Sequence, residues 1–137
     1  MKNYQIITDR SSRYPKLLKE IRDWPKKLYA RGNLNLLETT CLAVVGTRSN
    51  TIEGKANAIH FVRGLVSYGF TIVSGLAFGV DAIAHEAVLE YGGKTIAVLG
   101  NGIDKIHPTS NEWLGEKIFK EQGLILSEYP PGMPAQK

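Results

Sequence analysis

With 137 residues, 43% of them apolar and 22% charged, the chain has the composition of an ordinary globular protein and enough length to bury roughly two-thirds of its unfolded surface. No apolar run approaches the roughly 20 residues of a membrane span, and Met1-Lys2-Asn3-Tyr4-Gln5 lacks a signal-peptide core, so a cytoplasmic protein without membrane contact is expected. The net charge of +4 is unevenly spread: residues 1–31 carry nine Lys/Arg against three Asp/Glu, and residues 32–137 carry eight against ten, so any acidic partner meets a basic N-terminal segment rather than a basic slab.

In chain order, Arg13, Lys16, Lys19 and Arg22 recur every three residues opposite Tyr14, Leu17, Leu18 and Ile21, which predicts a short amphipathic helix over 13–23. It is stopped at Trp24-Pro25, because a residue before proline is driven out of the helical region. Leu28-Tyr29-Ala30-Arg31 reads as a short edge strand, closing an N-terminal appendage over 1–38. The α/β core follows over 39–137, and appendage and core together are expected to form one domain. The core alternates strand 41–46, helix 52–68, strand 70–74, helix 79–91, strand 94–99, helix 111–122 and strand 124–127. Cys41, the sole cysteine, excludes an internal disulfide and a multi-thiolate zinc site within one chain; it is expected to pack as a small hydrophobe at a strand start. Ile52, Ala56, Ile59, Val62 and Leu65-Val66 give the first core helix an apolar face, and Val80, Ile83, Ala84, Ala87 and Val88 repeat the device in the second. Strands that are continuously apolar predict a parallel sheet covered by helices on both faces. The expected fold is therefore α/β, a Rossmann-like three-layer arrangement with a mostly parallel sheet and a small helix-strand appendage.

Parallel strands send their following loops to one sheet edge, where open α/β sheets bind ligands. Two of these loops are glycine-bearing and each opens a helix, the arrangement that presents backbone N–H groups to an anion. The first holds Gly46, Thr47, Arg48, Ser49 and Thr51, with Arg48 as a fixed cation that could alternatively bridge to Asp81 or Asp104. The second holds Ser74, Gly75, Leu76, Ala77, Phe78, Gly79 and Asp81; Phe78 either stacks on a base or closes the core, and Asp81 either joins the site or complements the helix dipole. Asn101 and Glu128 lie in the remaining two loops as further candidates, Glu128 being repulsive to phosphate unless it pairs with Arg48 or meets a base or sugar hydroxyl. His85, four residues past Asp81, reads first as a satisfied packing histidine. The spacing matches neither GxGxxG nor a Walker loop, no His/Asp/Glu cluster has metal-ligand spacing, and no Ser/His/Asp order stands out. No cofactor, metal or catalytic residue is therefore expected.

At these residues the chain resembles the DNA-processing protein A family (DprA, also called Smf). The likeness runs through Tyr14-Pro15, Leu28 to Asn33, Gly46-Thr47-Arg48, Ser74 to Asp81 with Ala84-His85, Gly92 to Gly100 and Ser127 to Gly132, in order along nearly the whole chain. The resemblance implies single-stranded DNA binding without catalysis, linked to DNA uptake and recombination, with a RecA-type recombinase as a further partner. It places backbone phosphate on Gly46, Thr47 and Arg48, with the Ser74 to Gly79 loop beside them. Thr47 stands where the family usually has serine, Glu53 where it often has tyrosine, and family members continue past the position of Lys137 through further strands and helices. An open edge at the last strand would favour a homodimer or higher oligomer. Two rival classes are a nucleotide-processing hydrolase of the lysine-decarboxylase-like group, disfavoured because its Pro-Gly-Gly-x-Gly-Thr run is absent, and a nucleotide-sensing scaffold.

Overall fold

The computed structural model describes residues 3–136. Six strands form one sheet in the order β1-β2-β6-β5-β4-β3: β1 Gln5–Thr8, β2 Lys27–Gly32, β3 Cys41–Ala43, β4 Thr71–Ser74, β5 Thr95–Leu99 and β6 Leu124–Ser127. β3, β4, β5 and β6 are mutually parallel, joined by helices α1 Ile52–Ser67, α2 Val80–Glu90 and α3 Glu112–Lys120, so the Rossmann-like parallel layer expected from the sequence is present. Each crossover steps one strand in the same direction. With a constant right-handed connection, that places all three helices on the same face, and α1 packs on α2 and α2 on α3.

The second face carries the appendage instead of helices. Along β5 and β6 the side chains alternate: Ala97, Leu99 and Ile125 pack with Leu114 and Ile118 of α3, whereas Ile96, Leu124 and Leu126 pack with Ile7, Tyr14, Leu28, Ala30 and Leu36. A third cluster, Val62, Ile72, Ala84, Ala87 and Val88, joins α1 and α2 to β4. The appendage leaves a groove of about 480 Å³ between Pro15, Leu17, Leu18 and Ile21 and the sheet residues Val73, Val98 and Leu126.

Several expectations are corrected. The stretch 13–23 is no α-helix but a single 3-10 turn, Lys16–Glu20, entered from extended Pro15 and left through extended Ile21. Residues 28–31 belong to an interior strand: β2 pairs antiparallel with β6 in the register Tyr29↔Ser127 and with β1 in the register Tyr29↔Ile6. β6 accordingly has a neighbour on both sides, and the free edges are β1 and β3. β3 is shorter than expected, ending at Ala43, and all three of its residues are exposed, including Cys41. Ile52, the first residue of α1, is 92% exposed and Ala56 is exposed as well, so the buried side of that helix reduces to Val62 with the half-buried Ile59, Leu65 and Val66.

Candidate nucleic-acid interface

The turns after β3 and β4 interlock. Val80 N–H donates to the Thr47 carbonyl (3.1 Å), which ties the start of α2 to the first loop. Gly79 makes the approach feasible: its φ is +80°, and a Cβ there would collide with the Thr47 carbonyl and the Arg48 backbone. Gly46 faces Val80 in the same contact. Within the first loop the Thr47 hydroxyl accepts from Ser49 N–H (3.1 Å), and Thr51 caps α1 by accepting from Gly54 N–H (2.9 Å). Both hydroxyls remain at the surface, as do Gly46, Arg48 and Ser49.

The second loop is fixed from beneath by three side chains. Asp81, buried at the start of α2, accepts from Gly75 N–H (3.1 Å), and the carboxylate stands where a Cβ on Gly75 would fall. His85, fully buried, accepts from Leu76 N–H through Nε2 (3.3 Å). Its Nδ1 therefore carries the proton and donates to Thr95 Oγ1 (2.8 Å), which in turn donates to the Ile72 carbonyl (2.8 Å). Burial drives the His85 pKa down to about 3, against a smaller opposing pull from the Ser74 carbonyl, so the ring is neutral. Asn111 completes the clamp by donating to the Leu76 carbonyl (2.8 Å). Together these hold Leu76 in the left-handed region (φ +58°) with its side chain in the core.

A crevice of about 150 Å³ opens between the two turns and the β5 loop, lined by Arg48, Gly75, Ala77, Phe78, Gly100, Asn101, His107, Pro108, Ala135 and Gln136. Of the fourteen sequence candidates, Arg48, Gly75, Ala77, Phe78 and Asn101 meet there, and Gly46, Thr47, Ser49 and Thr51 lie in the loop that bears Arg48. Ser74 is turned away, donating to the Val44 carbonyl (2.6 Å), and Leu76, Gly79 and Asp81 shape the backbone from below. Asn101 offers limited freedom, since its amide donates to the Gly102 and Lys105 carbonyls. Glu128 lies apart from the crevice, on the groove under the appendage, where it raises the Tyr129 hydroxyl through a hydrogen bond and its charge. Phe78 is half exposed and free to stack.

The alternative bridges of Arg48 are not made. Asp81 is committed to Gly75, Asp104 accepts from Gly132 N–H (2.8 Å), and among the described residues Arg48 forms no ion pair. A guanidinium without a carboxylate suits an oxyanion, and the charge rests on Arg48 itself, since the N–H groups of Gly75, Leu76 and Val80 are committed to Asp81, His85 and the Thr47 carbonyl. The chain continuing from the Ser127 to Gly132 loop, which is expected at this edge, carries residues 133–136, absent from the sequence candidates. It is laid across the crevice by Gln136 N–H to the Gly100 carbonyl (2.8 Å) and Gly102 N–H to the Met133 carbonyl (2.9 Å), and only the stiff Pro130-Pro131-Gly132 run hinted at it.

The class that fold and site define is an α/β layer with an arginine-rimmed crevice at its strand-carboxyl edge. Comparison with known proteins makes this specific. Residues 5–137 match the family DNA recombination-mediator protein A, and the chain belongs to that family. It is 46% identical over 140 residues to protein Smf of Synechocystis, covering 99% of this chain and 35% of the relative. It is 45% identical over 119 residues to DNA processing protein DprA of Streptococcus pneumoniae, covering 87% and 42%. The crystal structure of DNA processing protein A from Streptococcus pneumoniae superposes with a TM-score of 0.90 at 40% identity, over 99% of this chain and 47% of that one. A structure of DNA processing protein A from Helicobacter pylori, described for its single-stranded DNA binding mode, superposes with a TM-score of 0.86 at 38% identity, over 98% and 60%. The chain thus spans well under half the length of the curated relatives it matches.

Proposed function

We propose that this chain binds single-stranded DNA through backbone phosphates seated at the turns after β3 and β4, as a non-enzymatic DNA-processing protein acting in DNA uptake and recombination. The observation that carries the reading is Arg48: an exposed guanidinium without an ion pair among the described residues, on the rim of a crevice floored by Gly75 and Ala77. The half-exposed Phe78 supplies a stacking face of the kind sequence-neutral binders use. The single-stranded DNA binding mode described for the Helicobacter pylori relative supports the same ligand. A role without catalysis fits the state of the buried titratable groups nearest the crevice, since Asp81 and His85 are both spent on backbone N–H groups. We place the chain in the cytoplasm; no helix among the described residues is long and apolar enough to cross a membrane. Residues 1–137 act as one domain, a RecA-type recombinase is the partner that receives the strand, and copies associate into a homodimer or higher oligomer.

The test is fluorescence anisotropy with oligo-dT across a salt series. Arg48→Ala should weaken binding several-fold and reduce the slope of log affinity against log salt by about 0.7, the amount that one neutralised phosphate contributes on a single strand. Wild-type affinity and slope in that variant would refute the reading. Light scattering at micromolar concentration tests association, a monomeric mass counting against it.

A further inference from the structure

The basic N-terminal segment, which the crevice does not use, stands at the same sheet edge as Arg48. β2 runs antiparallel to β6, so Lys27, two residues before Tyr29 in the Tyr29↔Ser127 pair, lies beyond the carboxyl end of β6. β1 brings Thr8 opposite Lys27, and Asp9 N–H donates to the Lys26 carbonyl (3.0 Å), so Asp9 and Arg10 emerge there too. The 3-10 turn reaches the same end: Pro15, Leu18 and Ile21 share the apolar groove with Leu99, Ser127 and Glu128, the last residues of β5 and β6 and the one after.

The cations there are concentrated. Between positions 10 and 27 stand seven Lys/Arg against Glu20 and Asp23, and among the described residues the only ion pair in this stretch is Lys26 to Asp9, at 3.8 Å. Asp9 also accepts from Trp24 Nε1 (3.0 Å), and that bond, followed by the charges of Lys26, Lys19 and Arg10, holds its carboxyl below the usual range. Lys26 is thus the cation paired with this carboxylate, and the charges of Lys19 and Arg10 reach it as well. Two lie over rings, Lys26 at 4.0 Å from the Trp24 centroid and Lys19 at 5.6 Å from that of Tyr14.

We infer that Arg10, Lys19 and Lys26 form a second phosphate contact for single-stranded DNA, at the opposite end of the sheet edge from Arg48. The inference rests on the proposed crevice reading and extends it into a path across the strand ends. Arg10, which follows β1, lies five strand spacings from β3, roughly 24 Å, and Lys26, which precedes β2, lies one spacing nearer. A strand crossing that distance falls within the about 4–16 nucleotides covered by single-strand binding modules. Glu128, exposed just after β6 and near enough to Tyr14 for its charge to add to the burial that raises that hydroxyl, leaves its own stretch of the path unfavourable to phosphate.

The experiment uses the full chain with oligo-dT of about 4 and about 16 nucleotides. Replacing Arg10, Lys19 and Lys26 together by alanine should lower the salt slope for the longer oligomer by about 2, near 0.7 for each phosphate no longer neutralised, and weaken its binding roughly tenfold or more at low salt. The comparison variant replaces Lys94, Lys117 and Lys120, which precede β5 or sit in the last turn of α3 at the other end of the sheet; it removes the same charge and should change the slope much less. Unchanged slope in the first triple variant, or an equal loss in both, would overturn the proposal. Failure of Arg48→Ala to affect the short oligomer would instead indict the crevice and leave the cluster result to stand by itself. In the unmodified chain, amide resonances at Arg10, Lys19 and Lys26 should shift with the longer oligomer; silence there would also overturn it.

Discussion

Acid should loosen this protein through His85, and the size of the effect follows from its burial. The ring is fully buried and neutral in the folded state, with a pKa of about 3 against 6.5 for the free side chain. Because the folded pKa is depressed, the unfolded chain binds the proton first as pH falls. The stability tied to the neutral ring is complete above pH 6.5 and drains away between 6.5 and 3. The whole shift corresponds to about 5 kcal/mol, and the portion lost by pH 5 to about 2 kcal/mol, a large fraction of what an ordinary domain has to lose. Urea unfolding at pH 7.5, 6.5, 5.5 and 5.0 measures this directly. His85→Gln provides the reference, since its amide can still accept from Leu76 N–H and donate to Thr95 but cannot titrate. The wild type should lose about 2 kcal/mol more than His85→Gln between pH 6.5 and 5. Parallel curves would refute the reasoning.

Two further predictions concern stability. Ile118, fully buried against β6, should cost about 2–5 kcal/mol when cut to alanine, whereas Ile52→Ala, at a site 92% exposed, should stay within about 0.5 kcal/mol; urea midpoints of the two variants distinguish them. Gly79→Ala meets both a positive φ and the Thr47 carbonyl, so a loss of at least about 1–3 kcal/mol is expected by the same measurement, and a wild-type midpoint would contradict the interlocked geometry.

The parallel half of the fold was legible because each strand is a short apolar run closed by glycine or serine, and each helix repeats its apolar positions every three or four residues. The appendage was not. Cations at 13, 16, 19 and 22 imitate a helix face, yet the chain turns extended again at Ile21 after a single turn, and what fixes its place is tertiary: Tyr14 donates its hydroxyl to the Pro25 carbonyl (2.6 Å) while its ring enters the core. The interior position of β2 depends on pairing Arg31 with Ile125, a partner no local pattern can name. At the site, glycine spacing and Arg48 were visible, whereas the inward turn of Ser74 and the reach of Asn111 to Leu76 across 35 residues are products of packing.

The bond from Val80 to Thr47, with Gly79 wedged against Arg48, has a consequence for anyone who would transplant this crevice. Neither turn is a portable cassette. Moving the arginine-bearing turn onto another strand-helix scaffold would leave its carbonyl without a donor, and moving the glycine turn alone would leave that glycine with nothing to fit. The smallest exportable piece is the pair of adjacent strand-helix units, carried together with the buried histidine and asparagine that brace the second turn from behind.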